Sequence, residues 1–199
     1  MGAELLSEGA EPATTHSLAG HLLVAMPGMG DPRFEKTVVF LCSHDGDGAM
    51  GLVLNKPSPG LRFADLTEQL QIRKGADFRD LAVFDGGPVD RNRGFLIHSD
   101  EFALPEGTLS IPGGFALTAS VSALQEIAAG GGPRKVILAL GYAGWGAGQI
   151  EEELRENAWL TLPARPSLVF DTAPDEQWTR CMEEIGIDPR LLGRVGGKA

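Results

Sequence analysis

The sharpest chemical signal in the chain is Cys42, two positions before His44, at the end of the apolar run Val38 to Cys42. A thiol beside an imidazole can serve as a nucleophile or redox sensor when the imidazole lowers the thiol pKa. On a regular strand the two side chains point to one face, shared with Val38 and Phe40, because side chains alternate with a period of two. Same-face neighbours lie roughly 6–7 Å apart, which is beyond direct hydrogen bonding unless the side chains lean together. The packing reading, with Cys42 a small core residue and His44 a turn residue, is therefore preferred over a reactive thiol.

Other constellations fail on spacing. The run Val136 to Leu140 followed by Gly141, Gly144, Gly146 and Gly148 imitates the strand and glycine loop of a dinucleotide site. Its spacing is wrong, Trp145 sits where the backbone should approach phosphate, and Glu151, Glu152 and Glu153 oppose a pyrophosphate at the next helix start. Asp45 and Asp47 open like a calcium loop, but Lys56 stands where a bidentate Glu is required. His16, His21, His44 and His98 show no zinc-ligand spacing, and no Gly-x-Ser-x-Gly elbow occurs. Arg91 and Arg93 form a local basic pair able to take a carboxylate or phosphate, with solvated charge as the plainer reading. Neither a metal nor a cofactor is expected.

What remains are polar and aromatic residues presented by glycine and proline turns: Asn55, Lys56, Arg93, His98, Tyr142 and Trp145. Together they form a candidate surface for a partner or ligand. The Tyr142 to Trp145 segment reads as a glycine-permitted loop supporting that surface, with each ring offering an apolar body and a polar handle.

The elements that must position these residues follow from periodicity. Short β-branched runs between Gly, Pro and Asp clusters predict strands at Leu22–Ala25, Thr37–Ser43, Met50–Asn55, Leu81–Phe84, Gly94–His98, Thr108–Ile111, Phe115–Thr118, Lys135–Leu140 and Ser167–Phe170. Asp45-Gly-Asp-Gly48 reads as a hairpin turn. Helical spacing predicts helices through Phe63, Leu66 and Leu70; over Ser120 to Ala129; from Gln149 with Ile150, Leu154 and Ala158 inward; and after Pro174 with Trp178, Cys181, Met182 and Ile185 on one stripe. A strand-rich first half before a mixed second half argues for α+β. Residues 1–17 read as a disordered tail and 18–195 as a single domain.

The 199 residues carry 27 acidic against 17 basic side chains, a net charge of −10 with His neutral. That charge opposes the counterion-release term on which duplex DNA binding depends, so direct binding to duplex DNA is not expected. Apolar runs of at most five residues exclude a membrane-spanning helix, which needs about 20. The first residues lack a signal or transit pattern, and the two cysteines suit a reducing compartment, so a cytoplasmic protein is expected.

Four blocks in order carry a resemblance. They are Leu23-Val-Ala-Met-Pro27 with Asp31-Pro32; Cys42-Ser-His44 with Gly48 to Pro57; Gly86-Gly-Pro-Val with Arg93 to His98; and Leu140 to Trp145 running on to Asn157-Ala-Trp-Leu160. From about residue 18 to 175 the chain resembles the AlgH or YqgE family of bacterial proteins. The resemblance implies a compact, complex α+β fold with a branched, partly barrel-like mixed sheet flanked by helices. It implies no enzyme class: the family is commonly labelled a transcriptional regulator and has no agreed molecular function. Ser43, where Glu is common, and Gly144, where Ser is common, depart from the pattern, and the first weakens any role for an acid beside Cys42. The expected function is a non-catalytic regulatory or adaptor protein binding a protein or small-molecule partner. A thiol sensor or enzyme centred on Cys42, and a direct DNA-binding regulator, are the alternatives.

Overall fold

The computed structural model of the chain describes residues 17–28, 31–105 and 107–188. Of the expected tail, residues 1–16 lie outside the described residues; Ser17 donates its hydroxyl proton to the His44 carbonyl at 2.8 Å.

Among the described residues, ten strands and five α-helices follow in order: β1 (His21–Ala25), β2 (Val38–Asp45), β3 (Gly48–Val53), β4 (Pro57–Arg62), α1 (Phe63–Gln69), β5 (Ala82–Asp85), β6 (Val89–Ser99), β7 (Thr108–Ile111), β8 (Phe115–Thr118), α2 (Val121–Ala128), β9 (Val136–Gly146), α3 (Gln149–Arg155), β10 (Trp159–Pro163), α4 (Pro166–Phe170) and α5 (Pro174–Glu184). The fold is α+β: a mostly antiparallel sheet, in the order β10-β1-β2-β3-β9-β6-β8-β7, curls into a half-barrel, with helices on its faces. The branch is at β9. Its first half lies between parallel β5 and antiparallel β6, and its second half pairs with β3.

Two glycines make that branch possible. Gly141 sits at φ +73°, and a Cβ there would stand 2.5 Å from the Gly87 carbonyl oxygen. Gly87, at φ +148°, would put its own Cβ 2.2 Å from the Tyr142 carbonyl carbon. Both positive φ and contact of backbone on backbone close these positions to any side chain.

Strands β1 and β2 are apolar on both faces because the sheet is covered on both. Leu22, Val24, Phe40, Phe95 and Phe115 fill the concave side against Leu168 of α4 and Trp178, Cys181 and Met182 of α5. Trp178 Nε1 donates to the Ala25 carbonyl at 2.8 Å, which satisfies the indole as α5 buries it. Leu23, Val39 and Leu41 pack on the opposite side with Trp145, Ile150 of α3 and Trp159. Phe63, Leu124 and Ile127 of α1 and α2 cover Val83, Leu96 and Leu138.

Most predicted strands and the four predicted helices are present, with four corrections. Ser167–Phe170 belongs to the helix α4 and is not a strand: Pro166 opens it, and a three-residue apolar run cannot by itself separate a buried helix from a strand. The helix from Gln149 stops at Arg155, before Ala158; Asn157 takes φ +57° and turns the chain into β10, a strand the periodicity missed. Strand β4 holds two prolines, which an edge strand tolerates. The Tyr142 to Trp145 segment is not a loop but part of the second half of β9, where Tyr142 pairs with Val89 of β6 and Ala143 to Trp145 pair with β3.

Candidate functional site

Cys42 and His44 do not share a face. The pairing of β2 with β3 runs Leu41 to Gly51 and then Ser43 to Met50, so Cys42 is the extra residue of a bulge. A bulge adds one residue and breaks the two-residue alternation. Cys42 consequently packs into the concave core at 2% exposure, its Sγ 3.7 Å from the Phe40 carbonyl, and burial pushes the thiol pKa up. His44 lies on the other face against α3. Its Nδ1 accepts the Leu18 backbone N–H at 3.0 Å, so the ring proton is on Nε2, which donates to Glu151 Oε1 at 2.8 Å. The backbone N–H of Glu151 and this histidine hold the Glu151 carboxyl below its usual range. The pair thus separates into a core thiol and an imidazole that ties the start of the domain to α3.

His98 and Asn55 are structural. His98 is fully buried, with Nδ1 donating to the Ser99 carbonyl at 3.0 Å and Nε2 2.9 Å from Thr118 Oγ1; burial lowers its pKa. Asn55 accepts the Val38 N–H at 2.9 Å and donates to the Lys36 carbonyl at 2.8 Å, which pins the turn before β2 to the end of β3.

Arg93 and Tyr142 do converge. With Ser43, Asp45, Met50, Phe95, Leu109 and Leu117 they line an open groove of about 620 Å³ at the mouth of the half-barrel, between the β2–β3 hairpin and β7. Trp145 edges the same groove, but its ring packs on the opposite face of the sheet. The Arg93 guanidinium carbon lies 5.2 Å from the centroid of the Phe95 ring, and Tyr142 meets the same ring edge-on at 5.8 Å. Among the described residues Arg93 has no acidic partner and the Tyr142 hydroxyl no hydrogen bond. Trp145 differs: the residue is only 7% exposed, and its Nε1 donates at 2.8 Å to Glu153 Oε2, which accepts Trp159 Nε1 at the same distance.

Lys56 belongs to a second, smaller cavity of about 180 Å³ with Arg33, Phe34, Asp85, Pro88 and Arg91. Sequence reasoning weighed Arg91 but passed over Arg33, Phe34, Asp85 and the groove residues Met50, Leu109 and Leu117. For Arg33, Phe34 and Asp85 the only sequence signal was proximity to the Asp31-Pro32 and Gly86-Gly-Pro blocks. The groove depends on sheet curl, which no local pattern encodes. Among the described residues no group of three or more His, Cys, Asp or Glu side chains could hold a metal ion, and no helix is long and apolar enough to cross a membrane.

Comparison with known proteins agrees with this architecture. A family model described as AlgH-like matches residues 22–190. The chain is 52% identical over 182 residues to a UPF0301 protein of Rhodospirillum rubrum, covering 92% of this chain and 94% of that one. To a UPF0301 protein of Jannaschia it is 48% identical, covering 96% and 100%. The solution structure of the AlgH protein from Pseudomonas aeruginosa superimposes with a TM-score of 0.76 at 42% identity, covering 96% of this chain and all of that one. A crystal structure from Corynebacterium diphtheriae, 20% identical with a TM-score of 0.67, covers 94% of this chain and 92% of its own and shares the fold. Matched over nearly the whole of its described length, the chain belongs to the AlgH-like family, whose molecular function is unknown.

Proposed function

We propose that the chain is a non-catalytic regulatory or adaptor protein of the cytosol, and that it binds its partner in the half-barrel groove. The observation that carries this reading is the open guanidinium of Arg93, stacked on Phe95 beside the unpartnered hydroxyl of Tyr142 over an apolar floor. Barrel mouths with apolar walls and a few convergent polar groups are common ligand sites. Asp45 and Asp47 of the hairpin also line the groove, so it suits a ligand or partner side chain with an apolar body whose anionic head pairs with Arg93. Both cysteines are free and buried, in keeping with a reducing compartment.

Titration with 1-anilinonaphthalene-8-sulfonate, an apolar anionic probe, tests the groove. Saturable fluorescence is expected on the native protein, lost in Leu109→Asp and weakened about tenfold in Arg93→Gln, with cooperative unfolding retained. Leu109 is 48% exposed, so its substitution does not disturb the core. Equal probe binding by both variants refutes the assignment.

Regulation through direct contact with duplex DNA is not part of the proposal. Helix α3 carries Glu151 and Glu152 in its first turn, and α5 carries Asp175 and Glu176, so neither presents a basic start to a major groove. No nanomolar gel shift is expected at physiological salt. A salt-dependent shift by the purified protein reverses this conclusion.

A further inference from the structure

The smaller cavity collects positive charge in an acidic protein. Arg33 comes from the turn before β2, Lys56 from the residue just before β4 and Arg91 from β6, and among the wall residues only Asp85 is acidic. The net charge of the chain is −10, so three cations from three separate segments around one small cavity are against the average of the molecule.

Their hydrogen bonding leaves capacity unused. Arg33 spends Nε and Nη2 on Asp31, at 3.1 and 2.7 Å, and its Nη1 makes no bond among the described residues. Arg91 reaches Asp85 through Nη2 alone, at 3.3 Å. Lys56 donates to the Arg33 carbonyl and has no carboxylate within ion-pair distance among the described residues; Asp85, Glu35 and Asp31 act on it from further away. Burial lowers the Lys56 pKa, so the ammonium lacks full compensation. Phe34 and Pro88 form an apolar lip shared with an adjoining cleft of about 270 Å³ that reaches Trp159.

We propose that this cavity binds the phosphoryl group of a small phosphate ester, with Arg33, Lys56 and Arg91 as its donors and the ester body lying over Phe34 and Pro88. Three cations arriving from different directions match the several oxygens of a tetrahedral phosphoryl group better than the two of a planar carboxylate. The site is separate from the half-barrel groove, so either assignment can fail without the other.

Amide NMR titrations at constant ionic strength test it, with inorganic phosphate, phenyl phosphate and acetate as probes in a chloride background. Inorganic phosphate is expected to give saturable shifts at Lys56, Gly87 and Arg91, and phenyl phosphate to bind more tightly because its ring meets Phe34. Acetate should bind at least tenfold more weakly. Lys56→Gln and Arg91→Gln should each weaken phosphate by about tenfold, the effect of one charge-assisted contact. Arg91 is two-thirds exposed, at 67%, so its variant keeps the fold, which an unchanged thermal midpoint verifies. Shifts that do not saturate, that acetate reproduces at equal concentration, or that keep the native affinity in Arg91→Gln overturn the proposal. Equal affinity for inorganic and phenyl phosphate rejects the part assigned to Phe34 and Pro88.

Discussion

Tyr142 and Trp145 stand three residues apart on one strand, yet their surroundings are opposites. Trp145 is packed with Trp159, its ring centroid 6.1 Å away, and both indoles donate to one carboxylate oxygen of Glu153. The other oxygen of Glu153 accepts from Gln149 at 2.9 Å. Tyr142 faces the half-barrel, touches Phe95 and leaves its hydroxyl without a partner among the described residues. A side chain whose polar groups are all satisfied within the fold holds the fold; one whose polar end is left open at a groove is free to meet something else. By that criterion Trp145 is assigned to the fold and Tyr142 to the proposed binding surface, although both were sequence candidates for one surface.

Removing the packed side is the largest way to break the contrast. Trp145→Ala should destabilise by about 3–5 kcal/mol, the range for truncating a buried Trp. Denaturant unfolding measures it, and a loss below about 1 kcal/mol would place Trp145 with Tyr142 on the binding side. Glu153→Ala comes next. It leaves two indole N–H groups without an acceptor and should cost on the order of 2–3 kcal/mol, since an unsatisfied buried donor loses its full desolvation energy. A double-mutant cycle with Trp145→Phe sharpens the assignment. Independent, additive costs would mean that the Trp145 bond to Glu153 contributes little.

The legible part of this molecule was the part written locally. The Asp45-Gly-Asp-Gly48 turn, the stripe through Trp178, Cys181 and Met182, and the strand at Phe115 were read from periods of two and 3.6, because a two-residue turn or a buried face is encoded by adjacent residues. The site was only half legible. Arg93 and Tyr142 were singled out by residue type, but Trp145, His98 and Asn55, singled out in the same way, turned out to satisfy the fold. What decides between these outcomes is the partner of each polar atom. Thr118 for His98 and Val38 for Asn55 are distant in sequence. The bulge at Cys42 is a similar case. One extra residue reversed the face of His44, and the sequence Cys-Ser-His carries no glycine or proline to signal it.

That bulge sets a kinetic prediction. Burial raises the Cys42 pKa and pushes Cys181 up to about 12, with Glu184 adding to the second shift. At neutral pH both thiolate fractions are small and both sulfurs are inaccessible, so maleimide should label neither in the native protein at a rate above that of unfolding. Adding denaturant should release both together. Rapid labelling of Cys42 alone, accelerating as pH rises toward 8, would restore a thiol function to the Cys42 and His44 pair.

The smallest structural effect belongs to the open side, and it discriminates best. Tyr142→Phe removes a hydroxyl that makes no hydrogen bond among the described residues and keeps the ring on Phe95, so unfolding free energy should change by no more than about 0.5 kcal/mol. If the hydroxyl is a ligand contact, the same variant should bind the anilinonaphthalene sulfonate probe several-fold more weakly, in the direction of Arg93→Gln. Losing one neutral hydrogen bond corresponds to about 0.5–1.5 kcal/mol, or roughly two- to tenfold in affinity. The two measurements must therefore diverge: affinity falls while stability holds. A variant that loses stability in step with affinity would show that Tyr142, like Trp145, serves the fold, and the groove would then have only Arg93 to recommend it.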